Sequence, residues 1–439
     1  LLALATLVGT VVSTVGLLAG GERLAFAGTY AVDGAALWGK LIAVVASAAI
    51  LALSVEWFTD DPRHGEYYAL LLLSVLGAVL LAGAADLMQL SLAVLLASST
   101  GAVLIAYHRR SRRAGEAAIK FYLLGALTNG AMLFGVALLF GLAGTTTFQG
   151  LASQLTTGRT VGSAAPLVAA TALMLVGLSF KLGAVPAHAW LPDVSDGAPA
   201  PVAAFMAAVP KVGALIAVAR LVVVLPEELS GWRPLVALLA ALTMTLGNVA
   251  ALWQDDVRRL LGWSAVSQTG YGLMAVVALD RSALALPSLL YFLVAYVLAT
   301  IVAFGVVVEL RGQAERVRYA GLATVHPWLA LALVISFLSF IGVPPLAGFV
   351  AKLTLFGAVV EAGYGWLAVV AVANTVVSVA YYARVLAPAY FEPMPGAPLP
   401  VLGRWAAIGV AVTAAGVVAA GIWAEPLLHA FHGSRLLPR

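Results

Sequence analysis

Three lysines stand where lysines are costly. Lys181, Lys211 and Lys352 each lie within a long apolar run. A lysine at the centre of a membrane helix costs about 2.5–3.5 kcal/mol on insertion scales, so one kept there is read first as a functional group. Lys181 has apolar sequence on both sides, from Leu167 to Leu191, and Lys211 is central in Ala208-Val-Pro210-Lys211-Val-Gly213. A snorkelling stem reaches water only from near a helix end. Lys352 follows Gly348-Phe-Val-Ala. Taking an ammonium out of water disfavours its charge and lets the amine lose and regain a proton. The chemistry these residues offer is reversible proton carriage.

Other ionisable groups leave two readings open. Glu116 and Lys120 are four residues apart at the start of a predicted helix and share a face. They form either an ion pair beside a basic loop or a part of the path. His188, in Val185-Pro-Ala-His188-Ala-Trp190, either relays protons or caps backbone carbonyls freed by Pro186. Lys40 and Glu309 lie near span ends and His326 precedes Pro327; all three read as structural.

Much chemistry is absent from the sequence. With no cysteine, disulfides, iron–sulfur clusters and thiolate metal sites are excluded. There is no phosphate-binding P-loop and no glycine-rich dinucleotide motif. The histidines offer no paired haem ligands, and His429 and His432 lack partners for zinc. The chain therefore carries no cofactor site of its own. The net charge of +4 is spread over loops and does not indicate a nucleic-acid partner; basic loop ends suit a membrane protein.

These lysines need helices to hold them. Apolar residues make up 62% of the 439 residues and charged ones 10%, against about 25% charged in soluble domains. The apolar runs are long and unbroken, unlike the alternating strands of a β-barrel. The chain reads as an all-α polytopic membrane protein, a single membrane domain over 1–439 with the lipid bilayer as its surroundings. Spans are predicted at about 1–19, 35–54, 68–84, 87–107, 117–142, 163–190, 199–224, 234–253, 258–279, 284–310, 326–361, 365–386 and 403–424. The start at Leu1 suggests that a first helix is missing. Two spans exceed the roughly 20 residues a bilayer needs. One contains Gly183-Ala-Val-Pro186, the other Gly342-Val-Pro-Pro345. Proline removes a donor and clashes with the preceding turn, so both should break near mid-membrane.

Lysine and arginine counts set the orientation. Arg63, Arg109, Arg110, Arg112, Arg113, Arg258, Arg259, Arg311, Arg316 and Arg318 fall on one set of loops. Arg23, Arg159, Arg233, Arg281, Arg435 and Arg439 fall on the other. The richer side should be cytoplasmic. A repeat is also visible: Leu178-Ser-Phe180 precedes Val185-Pro186, and Leu338-Ser-Phe340 precedes Val343-Pro344. Paired broken helices mark transporters built from two related halves, with the ion site near the break.

The chain resembles the antiporter-like membrane subunits of respiratory complex I, most closely the subunit N group of NADH-quinone oxidoreductase. The stretches that carry the resemblance are Glu66-Tyr-Tyr-Ala-Leu-Leu-Leu-Leu-Ser74, Glu116-Ala-Ala-Ile-Lys-Phe-Tyr-Leu-Leu-Gly-Ala126, Phe180-Lys-Leu-Gly-Ala-Val-Pro-Ala-His-Ala-Trp-Leu-Pro-Asp193, Asp196-Gly-Ala-Pro-Ala-Pro201, Gly247-Asn-Val-Ala-Ala-Leu252 and Gly348-Phe-Val-Ala-Lys352.

The resemblance implies about 13–14 transmembrane helices with two inverted five-helix repeats, about 87–224 and 234–386, each with a broken helix. It implies a proton-translocating subunit of an NADH:quinone oxidoreductase, not catalytic alone, in the bacterial inner membrane. The other membrane-arm subunits would be its partners. FMN, iron–sulfur clusters and quinone would belong to partner subunits. Lys181, Lys211 and Lys352 match the family's three path positions, the first of which pairs with a glutamate on a neighbouring helix. Here that position is Leu95, in Leu92-Ala-Val-Leu-Leu-Ala-Ser-Ser-Thr100. If the family packing holds, residue 95 faces Lys181, and the path then uses another group, such as Glu116, or this unit is degenerate. Gln268 stands where the family often has histidine. Subunits of multi-subunit Na+/H+ antiporters or membrane-bound hydrogenases, a non-pumping structural subunit and a solitary transporter are the competing expectations.

Overall fold

The computed structural model describes residues 1–156, 164–396 and 400–437. The first part of the chain forms α1 (Leu2–Leu18), a hairpin of β1 (Arg23–Ala25) and β2 (Tyr30–Val32), α2 (Gly34–Val55), α3 (His64–Ala82), α4 (Leu87–Ile105), α5 (Arg112–Ala143) and α6 (Phe148–Thr156). The middle forms α7 (Ala165–Leu182), α8 (Trp190–Gly197), α9 (Ala200–Val223), α10 (Glu227–Ser230), α11 (Trp232–Leu252), α12 (Val257–Ala278) and α13 (Ala285–Glu309). The last part forms α14 (Leu322–Val325), α15 (Pro327–Ile341), α16 (Ala347–Glu361), α17 (Gly365–Phe391), α18 (Arg404–Ile422) and α19 (Ala424–His432).

Ten of these helices are long and apolar enough to cross a bilayer. With α1, α12 and the α15–α16 pair they account for the thirteen spans expected. Both breaks are present: α7 gives way to α8 between Leu182 and Trp190, and α15 to α16 between Ile341 and Ala347. The first broken span reaches further than 190, because α8 continues it to Gly197. The hairpin, α6 and α19 were not expected; each is short and gives a weak periodic signal.

Polar side chains start the helices. Asp33 accepts from the Ala36 N–H at 2.8 Å, Asp86 from Met88 at 2.7 Å, Ser111 from Ala114 at 3.2 Å and Asp256 from Arg259 at 2.9 Å. Each satisfies a backbone donor that the first turn leaves free. The interior is built on α9, buried from Ala200 to Val222, with α12 and α13 beside it. Outer helices turn apolar residues outward, including Leu92, Leu127, Phe134, Val369 and Val376, as contact with lipid requires.

Loop contacts divide into two ends. At one, the Tyr107 hydroxyl donates to Arg63 O at 2.6 Å, the Val257 N–H to Ala314 O at 2.7 Å, and Asp255 pairs with Arg316 and Arg384. At the other, the Ala31 N–H donates to Gly83 O at 2.8 Å, and Glu227 pairs with Arg233 and Arg281. This matches the two loop sets counted from the sequence, and the first end is the basic one. Arg159 and Arg439 lie outside the described residues. Two arginines counted as loop charges are in fact buried. Arg258 donates to the carbonyls of Ser195 (2.8 Å) and Ala198. Arg233 reaches those of Val277 and Leu279. Both cap helix C-termini, where a cation meets the negative end of the helix dipole.

Candidate functional site

The two breaks organise the interior. α7 stops at Gly183, with φ 65°, and α15 at Gly342, with φ 91°; without a Cβ, glycine enters this left-handed region freely. Each stop frees backbone groups that lipid cannot satisfy. α12 runs unbroken between them and serves both. Its Thr269 hydroxyl donates to Leu182 O at 2.9 Å, and its Gln268 Nε2 to Phe340 O at 3.2 Å. At the first break Trp190 Nε1 donates to Phe180 O at 2.9 Å, and the Val185 N–H to Thr243 Oγ1 at 3.1 Å.

Lys181 occupies the last turn of α7 and is 2% exposed. Its Nζ lies 5.7 Å from the Phe121 ring centre and 5.9 Å from that of Phe180. Among the described residues it has no hydrogen-bond partner. The two ring faces give it cation–π contact in place of a carboxylate. Leu95, the expected counterpart position, is 38% exposed on α4, so it lies on an outward face rather than in the packed interior.

Lys211, buried on α9, donates to Ala265 O and, at 2.8 Å, to Thr269 Oγ1. Its Nζ stands 5.3 Å from the Tyr296 ring centre. Lys352, buried on α16, donates to Ile341 O and Thr375 Oγ1, each at 3.1 Å. It stands 4.2 Å from the Tyr271 ring centre. The Ile341 carbonyl ends α15, so Lys352 sits at the negative pole of that half-helix. Gln268, Tyr296, Ser339, Phe340 and Lys352 line one small cavity.

The structure thus brings the lysines into one interior row. Leu182, next to Lys181, is tied through Thr269 to Lys211. Tyr296 and Gln268 lead on to the second break and Lys352. The row is desolvated yet rich in carbonyls and hydroxyls, an arrangement that can hold a charge in transit.

Glu116, Lys120 and His188 do not join this row. Glu116 and Lys120 pair at 2.8 Å with side chains 61% and 49% exposed, and Lys120 also bonds Asp193 at 3.0 Å. Arg259 holds the other Asp193 oxygen at 2.8 Å. This is a surface ion cluster at the basic end. His188 lies half-buried in the first break, its ring 5.6 Å from that of Trp263. Its Nδ1 has no hydrogen-bond partner among the described residues.

Sequence reasoning missed a buried ion pair. Arg220 on α9 makes two bonds to Asp33, at 2.6 and 3.0 Å, and further bonds to the carbonyls of Ala82 (3.0 Å) and Leu437. An arginine inside the 199–224 span was visible by the same criterion that found the lysines. Also missed was a cluster of buried amides and phenols around Asn248, Asn374, Tyr271 and Tyr381, which carries no formal charge to draw notice. No group of three or more His, Asp or Glu is placed to hold a metal ion among the described residues.

Residues 84–378 match the family model described as NADH:quinone oxidoreductase/Mrp antiporter, TM. The chain belongs to this family. Within the family it is 42% identical to NADH-quinone oxidoreductase subunit N of Mycobacterium sp. (strain JLS), over 96% of this chain and 90% of that one. It is also 42% identical to NADH-quinone oxidoreductase subunit N 1 of Streptomyces griseus subsp. griseus, over 99% and 91%. Among solved structures, a chain of respiratory complex I from Thermus thermophilus with bound Aureothin superposes with a TM-score of 0.82 at 32% identity, covering 98% of this chain and 94% of that one. With its membrane-crossing helices, this family member is a multi-pass protein of the bacterial inner membrane.

Proposed function

We propose that the chain is a proton-translocating subunit of the membrane arm of an NADH-quinone oxidoreductase. Lys181, Lys211 and Lys352 would carry the protons. The observation that carries this reading is the row of three buried lysines, two of them held by one unbroken helix between two broken ones. Quinone reduction elsewhere in the complex shifts charge along the membrane arm. Each shift changes how strongly a desolvated lysine holds its proton, and a proton moves. In this reading flavin, iron–sulfur clusters and quinone belong to partner subunits, and this chain contributes binding and release of protons without redox chemistry. The two halves, about 87–224 and 234–386, act as related units around their breaks. Glu116, Lys120 and His188 would serve the approach from the basic end rather than the row itself.

The identity to subunit N relatives favours this over a place in an Mrp-type antiporter, which shares the family. The test is to purify the chain from its membrane and reconstitute what accompanies it. Flavin and iron–sulfur subunits should copurify, and alanine at each of the three lysines should lower the proton-to-electron ratio. Copurification with antiporter subunits alone would transfer the chain to the second reading. NADH oxidation by the isolated chain would refute the first.

A further inference from the structure

A second buried polar cluster leads away from Lys352. Beyond Thr375, which Lys352 contacts, lies the Tyr271 hydroxyl, 2.9 Å from Thr375 Oγ1. That hydroxyl also reaches the side chain of Asn248. Asn248 Oδ1 accepts from the Tyr381 hydroxyl at 2.9 Å, and its Nδ2 donates to Asn374 Oδ1 at 3.0 Å. Tyr381 is hydrogen-bonded to Tyr382, whose hydroxyl is 2.5 Å from Ser264 Oγ.

The cluster has a direction. Asn248 lies four residues, about one 5.4 Å turn, before Leu252. The Leu252 carbonyl accepts from Arg384, and Arg384 and Arg316 hold Asp255 at the basic end. The opposite direction is apolar. Between Lys352 and Glu361, α16 reads Leu-Thr-Leu-Phe-Gly-Ala-Val-Val, and the Thr354 hydroxyl is committed to the carbonyls of Val350 and Ala351. Buried hydroxyls and amides cost free energy that phenylalanine and leucine would not. A cluster of them on one side of a buried lysine calls for a use.

We propose that this cluster is a proton-uptake route from the cytoplasmic face to Lys352, separate from the Lys181–Lys211 stretch. It rests on the pumping role proposed above. Each hydroxyl takes a proton on a free lone pair and releases its own to the next. One proton leaves the cytoplasm, the Lys352 amine becomes an ammonium, and every hydroxyl ends with the proton count it began with. Asn248 is a positioning residue: it fixes the Tyr271 and Tyr381 hydroxyls on either side of its amide, and the proton crosses that junction on water drawn there.

The test uses the whole complex in vesicles. Tyr271→Phe and Tyr381→Phe each remove one oxygen and keep the ring. Both should lower the proton-to-electron ratio as Lys352→Ala does, with a raised solvent deuterium isotope effect that loss of packing would not produce. Tyr291→Phe, whose hydroxyl donates to Ala420 O at 2.6 Å away from this cluster, should leave the ratio unchanged. If either route variant fails to assemble, Thr375→Val replaces it. An unchanged ratio in the route variants, with Lys352→Ala lowering it, overturns the route alone. No effect of Lys352→Ala overturns the pumping role as well. For the direction, Asp255→Cys introduces the only cysteine in this chain. No reaction with a membrane-impermeant maleimide at the outer face supports cytoplasmic uptake, and reaction there overturns it.

Discussion

Lys211 donates to the Thr269 hydroxyl at 2.8 Å, and that hydroxyl donates on to the carbonyl of Leu182 at 2.9 Å, one residue past Lys181. A single side chain on α12 therefore links the first break to the central lysine.

Removing that link should separate the two lysines without removing either. In Thr269→Val the Leu182 carbonyl loses a donor, which costs about 1–3 kcal/mol for a buried acceptor. The complex should assemble with lower thermal stability and a reduced proton-to-electron ratio. Lys211→Ala should assemble as well, because it deletes a costly buried charge, and should lower the ratio further. A Thr269→Val complex that pumps as the parent does would make the bridge structural only.

The exposed ion cluster should matter little. Glu116→Gln breaks a pair of the kind worth about 0–1 kcal/mol, and the ratio should not change. Leu95→Glu places a carboxylate on an outward face of α4, so it too should leave the ratio as it was. If Leu95→Glu raises the alkaline limit of pumping, a carboxylate at that position does reach Lys181.

Arg220 and Asp33 should show the opposite pattern. Removing one partner of a buried pair leaves the other uncompensated, at about 3–5 kcal/mol. Arg220→Ala should sharply reduce the amount of assembled, heat-stable complex. Arg220→Leu combined with Asp33→Leu should recover part of the loss. Thermal inactivation of the solubilised complex measures both.

His108, in the loop before α5, should confer a pH dependence. Burial holds its pKa below the ordinary value, with the charges of Arg258 and Arg63 adding to this and Asp61 opposing it. Its ring stacks on that of Trp57 at 6.5 Å. The unfolded chain therefore binds the proton more readily than the folded one. The stability due to neutral His108 is present above about pH 6.5 and is lost as pH falls through the depressed folded value. His108→Phe should flatten the dependence of melting temperature on pH in that acidic window. An equal slope in both proteins would show that the histidine is not responsible.

Much of this architecture was legible because membrane helices leave a strong one-dimensional signal. Apolar runs marked the spans, and glycine with proline marked both breaks near Gly183 and Gly342. Lys181, Lys211 and Lys352 stood out because charge is rare in such runs. Which groups face each lysine was not legible. Thr269, Gln268 and Tyr271 sit on a helix that looks unremarkable in sequence, and their role depends on packing between segments about ninety residues apart. Glu116 looked like a substitute carboxylate because helical spacing cannot tell an interior face from an exposed one. Arg220 shows the reverse: its type was informative, but Asp33 lies far away in the chain.

α12 touches Lys211 through Ala265 and Thr269 and Lys352 through Tyr271. Positions 269 and 271 point to opposite sides of the helix, about 200° apart at 3.6 residues per turn. Turning α12 enough to release Lys211 would therefore carry Tyr271 across the face of Lys352. The two lysines share one rotor, and their timing is set by a single rigid body rather than by two independent gates.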